Sequence, residues 1–165
     1  MDNNNPYQAP AATIAEGTYE GELASRWARL GAAIIDTIIL VAILLPIMFA
    51  NGYMEVASQG AVPFGTTVMY AVLGFVIFVL VQGYPLATSA QTWGKKLLGI
   101  RIEGMDGTRP SLMVLLLRRY LPVQVVGTVP LVGPVFGLVN VLFIFGEERR
   151  CIHDLIAGTR VVVAD

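Results

Sequence analysis

Basic residues are missing from two long stretches of this chain: none lies between Arg29 and Lys95, and none between Arg119 and Arg149. Charge of either sign is scarce, at 14% of residues, against about a quarter in a soluble globular domain. Together with 55% apolar residues and a mean hydropathy of +0.66, this excludes an ordinary soluble protein. A single cysteine, Cys151, excludes an intrachain disulfide and gives no sign of an oxidising compartment. The first residues hold no basic cluster, and the first apolar run starts only at Leu30 and is too long for a leader core, so no cleaved signal peptide is expected. At 165 residues there is room for one compact membrane domain with short extramembrane pieces.

What is present is a set of apolar runs bounded by basic clusters, the pattern by which a chain records where it crosses a bilayer and which end faces the cytoplasm. Residues 1–22 read as a disordered cytoplasmic tail, with Asn3, Asn4 and Asn5 and too little apolar content to fold. Ser25 offers a helix cap and Trp27 an interfacial anchor before a first span at about 30–50. A loop follows whose only charge is Glu55, then a second span at about 66–84 with Pro85 as its stop. The polar insert 88–110 carries Lys95, Lys96, Arg101 and Arg109. Within it Leu98, Ile100 and Ile102 alternate with Gly99, Arg101 and Glu103, which predicts a half-buried strand. Met105-Asp106-Gly107 predicts a turn, and the β-branched run Thr159–Val163 in the tail 147–165 predicts a second strand paired with the first.

Residues 111–146 decide the topology. As one span from Tyr120 to Gly146 they would put Arg149, Arg150 and Arg160 outside. As a hairpin of segments 111–129 and 131–146, turning at Pro130-Leu131-Val132-Gly133-Pro134, they keep every basic residue cytoplasmic and let the two strands meet. The hairpin is preferred, at the cost of bringing Arg118 and Arg119 into the membrane on segments short for a full crossing. The expected fold is thus an all-α polytopic membrane protein, four helical segments in two hairpins, with a small cytoplasmic two-stranded β element. Both termini would be cytoplasmic.

A carboxylate inside a span is expensive and is a functional candidate by default. Asp36 lies six residues past Leu30, or about 9 Å along the axis, and shares a face with Arg29. Arg118 lies seven residues past Ser111, about 10.5 Å. The similar depth predicts that Asp36 pairs with Arg118 or Arg119. Such a pair either holds two helices in register or tunes a proton or cation site, and the spacing does not choose between them. Gln82, Gln124 and Asn140 are the further polar residues able to line the same cavity. Gly133 and Gly137 form a G-x-x-x-G pair that suits close helix packing. Cys151, His153 and Asp154 could be imagined around a metal, but three neighbouring residues without other His or Cys partners do not make a tetrahedral site. Asp154 is instead expected to cap or anchor the tail, against the loop carrying Lys95 and Lys96. Trp93-Gly94-Lys95-Lys96 reads as an interfacial anchor with headgroup-facing lysines, not as a phosphate-binding loop. No nucleophile–base pair lies within the spans, so neither an enzyme nor a cofactor is expected.

Three passages together resemble the RDD family of bacterial membrane proteins: Arg29-Leu30-Gly31-Ala32-Ala33-Ile34-Ile35-Asp36, Thr92-Trp93-Gly94-Lys95-Lys96-Leu97-Leu98-Gly99-Ile100-Arg101-Ile102, and His153-Asp154-Leu155-Ile156-Ala157-Gly158-Thr159-Arg160-Val161-Val162. The resemblance covers residues 23–163. By matching positions, the arginine and two aspartates of the family name are Arg29, Asp36 and Asp154, with Arg26 the alternative arginine. Trp93 stands where the pattern more commonly has Pro. The resemblance implies an inner-membrane protein taking part in transport, with cation/proton exchange among the activities linked to the family, and supplies no catalytic residues.

Two functions follow as expectations. The first is a small transporter with Asp36, Arg29, Arg118 and Arg119 as intramembrane candidates and His153, Asp154, Lys95 and Lys96 as a cytoplasmic motif. The second is a non-transporting membrane partner or assembly subunit in which Arg29, Asp36 and Asp154 are structural. The bilayer is the expected partner, with a second copy or another membrane protein beside it; nucleic acid is not.

Overall fold

The computed structural model describes residues 21–60 and 62–164, so most of the tail 1–22 lies outside the described residues. The chain is mostly helical and carries one small antiparallel sheet. Helix α1 (Arg26–Ala50) starts at Ser25, whose hydroxyl accepts from the Ala28 amide at 3.1 Å, as its composition suggested. A short α2 (Tyr53–Ser58) follows, then α3 (Phe64–Ser89). Helices α1 and α3 hold 25 and 26 residues, about 37–39 Å at 1.5 Å per residue, enough to cross a hydrocarbon core of about 30 Å.

Helix α3 does not stop at Pro85 but runs through it to Ser89, four residues beyond. A proline inside a helix leaves the carbonyl four residues earlier without its donor. Here that carbonyl is Val81, and the Trp93 indole N–H donates to it at 2.8 Å, which removes the usual reason for breaking.

After α3 come α4 (Trp93–Leu97) and β1 (Ile100–Gly104). Strand β1 pairs with β2 (Thr159–Val163), in the register Ile100↔Val163 to Gly104↔Thr159. The strand pairing matches the expectation, with β1 shifted from 98–103 to 100–104. Leu23 adds an isolated bridge to Val162, tying the entry of α1 to the sheet. In the turn after β1, Asp106 accepts from the Thr108 amide at 3.0 Å, and Gly107 takes φ +78°.

The third helical segment is continuous but changes pitch: α5 (Leu112–Val114), a π-helical stretch Leu115–Tyr120, then α6 (Leu121–Gly127). Pro122 explains the widening. It lacks the amide that would bond the Arg118 carbonyl, and its ring crowds that carbonyl. The chain reverses at 128–131 into α7 (Val132–Leu142), which ends in a 3₁₀ turn, Phe143–Phe145. Gly133 faces Gly127 so closely that a Cβ would overlap the Gly127 backbone, whereas Gly137 faces open space. Only the first glycine of the G-x-x-x-G pair closes a contact, and it does so within the hairpin. The last helix is α8 (Ile152–Ala157).

Burial is distributed unevenly. Small apolar clusters (Ala24, Ala32, Ile100, Val161 and Leu86, Ala90, Ile102, Leu115) sit around the sheet and the helix ends it touches. Along α1, α3 and α7 the large apolar side chains, including Ile38, Phe49, Val72, Leu80 and Leu138, point outward. Outward apolar helices over a polar, well-packed base suit a lipid surround.

Candidate functional site

Two aspartates organise two adjoining centres at the base of the helices. Asp36, half-buried on α1, accepts three hydrogen bonds: from Gln82 Nε2 at 2.9 Å, Thr92 Oγ1 at 2.5 Å and the Gly94 amide at 2.8 Å. Gln82, fully buried on α3, is fixed at its other end by the Trp93 amide, which donates to its Oε1 at 2.9 Å. Thr92 serves twice: as N-cap of α4, accepting from Lys95 N at 3.4 Å, and as donor to Asp36. Gly94 is required by space, since a Cβ there would overlap the Ala32 carbonyl of α1.

Asp154 forms the other centre. It is fully buried at the third position of α8, where its Oδ2 accepts from the Cys151 amide at 3.0 Å in a capping box. The same oxygen pairs with Arg29, and Oδ1 pairs with Arg119. Arg119 also donates to Thr159 Oγ1 at 2.6 Å, and its Nε has no partner among the described residues. One carboxylate thus joins α1, the π-helical stretch, α8 and β2. Burial works against ionisation of Asp154, yet Arg119 and Arg29 outweigh it and hold the carboxyl well below the usual range.

The expected pairing of Asp36 with Arg118 or Arg119 is therefore absent. The depths are compatible, but depth along an axis does not fix direction around it. The π-helical stretch directs Arg119 towards α8, and Arg118 is left exposed with no ion pair among the described residues. Arg29 and Asp36 likewise serve different centres. The anchoring role expected of Asp154 is present, but its partners are Arg29 and Arg119 rather than the lysine loop. Lys96 lies over the Trp93 ring at 5.5 Å.

Lys95 couples the two centres electrostatically. Burial, then Arg119, pushes its ammonium down to about 8, while Asp36 and Asp154 hold it up. Cys151 and His153 complete the Asp154 surroundings. Burial raises the thiol to about 11 and lowers the imidazole to about 3, with Arg119 adding to the latter. His153 donates from Nδ1 and its backbone amide to Asn140 Oδ1, at 3.0 and 3.3 Å, which fastens α8 to α7. Cys151, His153 and Asp154 do converge, with potential ligand atoms within 4.8 Å of one another. Two guanidiniums already occupy the carboxylate, so the geometry opposes a cation there. Of the other polar candidates, Gln82 lines the Asp36 centre, whereas Gln124 donates to the Ala71 carbonyl at 3.0 Å and joins α6 to α3.

The arginine and both aspartates of the motif passages thus lie at one base, with Lys95 in the field of both aspartates. Residues 23–158 match the family model described as "RDD family". The chain belongs to the RDD family. A relative in Bacillus subtilis (strain 168), described as "Uncharacterized protein YckC", is 33% identical over 140 residues, which cover 84% of this chain and 83% of the relative. No solved structure matches. In this RDD protein the residue missed by sequence reasoning is Thr92. It was visible as a capping Thr before the Trp93–Leu97 turn, three residues ahead of Lys95.

Proposed function

We propose that this RDD protein is a multi-pass protein of the bacterial cytoplasmic membrane that takes part in moving an ion or small solute, with Asp36 as the polar site the moving species meets. The observation that carries the reading is the choice of partners: Asp36 is held by three neutral donors and Asp154 by two arginines. The two guanidiniums give Asp154 its counter-charge, whereas neutral donors orient the Asp36 carboxylate and leave it without a counter-ion of its own, open to a moving cation. Orientation follows the basic residues, so the sheet, α4 and α8 face the cytoplasm. No enzymatic role is part of this reading.

One observation favours a second reading. The three donors to Asp36 also clip α3 and α4 onto α1, so the same carboxylate could serve only to hold the fold of a non-transporting partner in a larger assembly. Ion-driven proton movement in proteoliposomes, wild type against Asp36→Asn at matched incorporation, separates the two. Flux driven by Na⁺ or K⁺ that disappears in the variant supports the transport reading. Equal flux in both, or none from folded and oriented wild type, overturns it.

A further inference from the structure

The two helical hairpins end in different chemistry. The reversal between α1 and α3 is polar, with Asn51, Glu55, Ser58 and Gln59, and is long enough to hold α2. The reversal between α6 and α7 reads Thr128-Val129-Pro130-Leu131-Val132-Gly133-Pro134, with no charge, and Leu131 at its apex is 87% exposed.

The second hairpin is also shorter. Leu112–Gly127 is 16 residues, about 24 Å at 1.5 Å per residue. Val132–Phe145, 14 residues including the 3₁₀ turn, gives about 22 Å. Both fall about 6–8 Å short of a hydrocarbon core of about 30 Å. A second gauge compares α6 with α3. From the Gln124–Ala71 contact, α3 continues seven residues to Phe64 but α6 only three to Gly127. Helix α6 therefore ends about 6 Å below the end of α3, with the reversal 128–131 beyond it.

Apart from the Leu131 amide at the apex, the backbone donors of this turn are satisfied from within. Thr128 bonds the Gln124 and Val125 carbonyls with its hydroxyl at 2.9 and 2.7 Å and with its amide at 3.2 Å to each. Val129 donates to Val126 at 3.1 Å, Val132 to Pro130 at 2.8 Å and Gly133 to Val129 at 2.8 Å. Pro130 and Pro134 bring no amide hydrogen at all. In water such closure gains little; in hydrocarbon every open backbone group costs several kcal/mol.

We infer that residues 128–134 form a re-entrant tip, held beneath the headgroup level of the leaflet opposite the sheet and surrounded by its acyl chains. The inference rests on the membrane placement proposed above but not on transport.

Nitroxide labels on single cysteines test it, in full-length protein reconstituted in phosphatidylcholine bilayers. Cys151→Ser supplies the background, since serine is a good N-cap. The positions are Leu131→Cys and Val129→Cys at the tip, Gln59→Cys in the polar reversal and Ile38→Cys at mid-α1. Collision with oxygen reports hydrocarbon, and collision with a water-soluble nickel chelate reports the aqueous phase. The expected result is an oxygen-to-nickel ratio at the tip several-fold above that at Gln59 and close to that at Ile38. A ratio at both tip positions matching Gln59 overturns the inference, and so does low collision with both reagents, which would mean that protein and not lipid covers the tip. If Ile38 is itself nickel-accessible, it is the membrane placement that fails.

Discussion

Asp36 and Asp154 sit on neighbouring elements, share Lys95 as an electrostatic neighbour and both lie in passages that carry the family resemblance, yet they are solvated in opposite ways. Asp154 is fully buried and neutralised by Arg29 and Arg119, with a backbone amide at the capping position. Asp36 is half-buried and meets a carboxamide, a hydroxyl and a backbone amide. The first arrangement fixes a charge in place; the second positions a carboxylate without committing it to a counter-ion. Chemical identity therefore says little about role until the donors are known.

The comparison breaks most severely at Asp154. Asp154→Asn leaves two arginines buried without their anion, which should cost about 3–5 kcal/mol and appear as a large loss of folded yield and melting temperature in detergent. Next comes Gly94→Ala. It pushes a methyl group into the Ala32 carbonyl and should cost about 1–3 kcal/mol, seen as a lower melting temperature with α4 displaced from Asp36.

Acid should act through the Asp154 side. The folded-state value of His153 is lowered from the usual 6.5 to about 3, so the unfolded chain takes up a proton that the folded protein refuses. Stability contributed by the neutral imidazole is full above the unfolded value and falls as pH drops from about 6.5 towards 3. Asp154, also depressed, adds its loss below about pH 4. The melting temperature should decline between pH 7 and 4, less steeply in His153→Gln; equal slopes would refute the assignment.

At Asp36 the expected stability effect is smaller. Asp36→Asn keeps an acceptor and orphans no arginine, so about 1 kcal/mol is expected, and a collapse of folded yield like that of Asp154→Asn would erase the distinction. Smallest of all is Arg118→Ala, on an exposed side chain, within about 0.5 kcal/mol, although Arg119→Ala one residue away should resemble Asp154→Asn.

Much of this layout could be read from residues alone. The Ser25 cap, the apolar lengths of α1 and α3, the strand at Thr159–Val163 and its pairing with the Ile100–Ile102 alternation all follow from local periodicity and composition. Gln82 was visible as a polar residue in a span. The partners of Asp36 were not, because rise per residue gives depth and says nothing of azimuth. The π-helical stretch that directs Arg119 to Asp154 depends on Pro122, a signal that was present but not used. The continuation of α3 past Pro85 needed a donor twelve residues from Val81, on another element, and propensity rules do not see such rescue.

That rescue has an experimental consequence. Trp93 is one of two tryptophans in the chain, and it is bound at both ends of its structure: the indole N–H on Val81 and the backbone amide on Gln82, one bond away from Asp36. With Trp27→Phe removing the other indole, its fluorescence would become an intrinsic optical reporter of the Asp36 centre, read without any added probe.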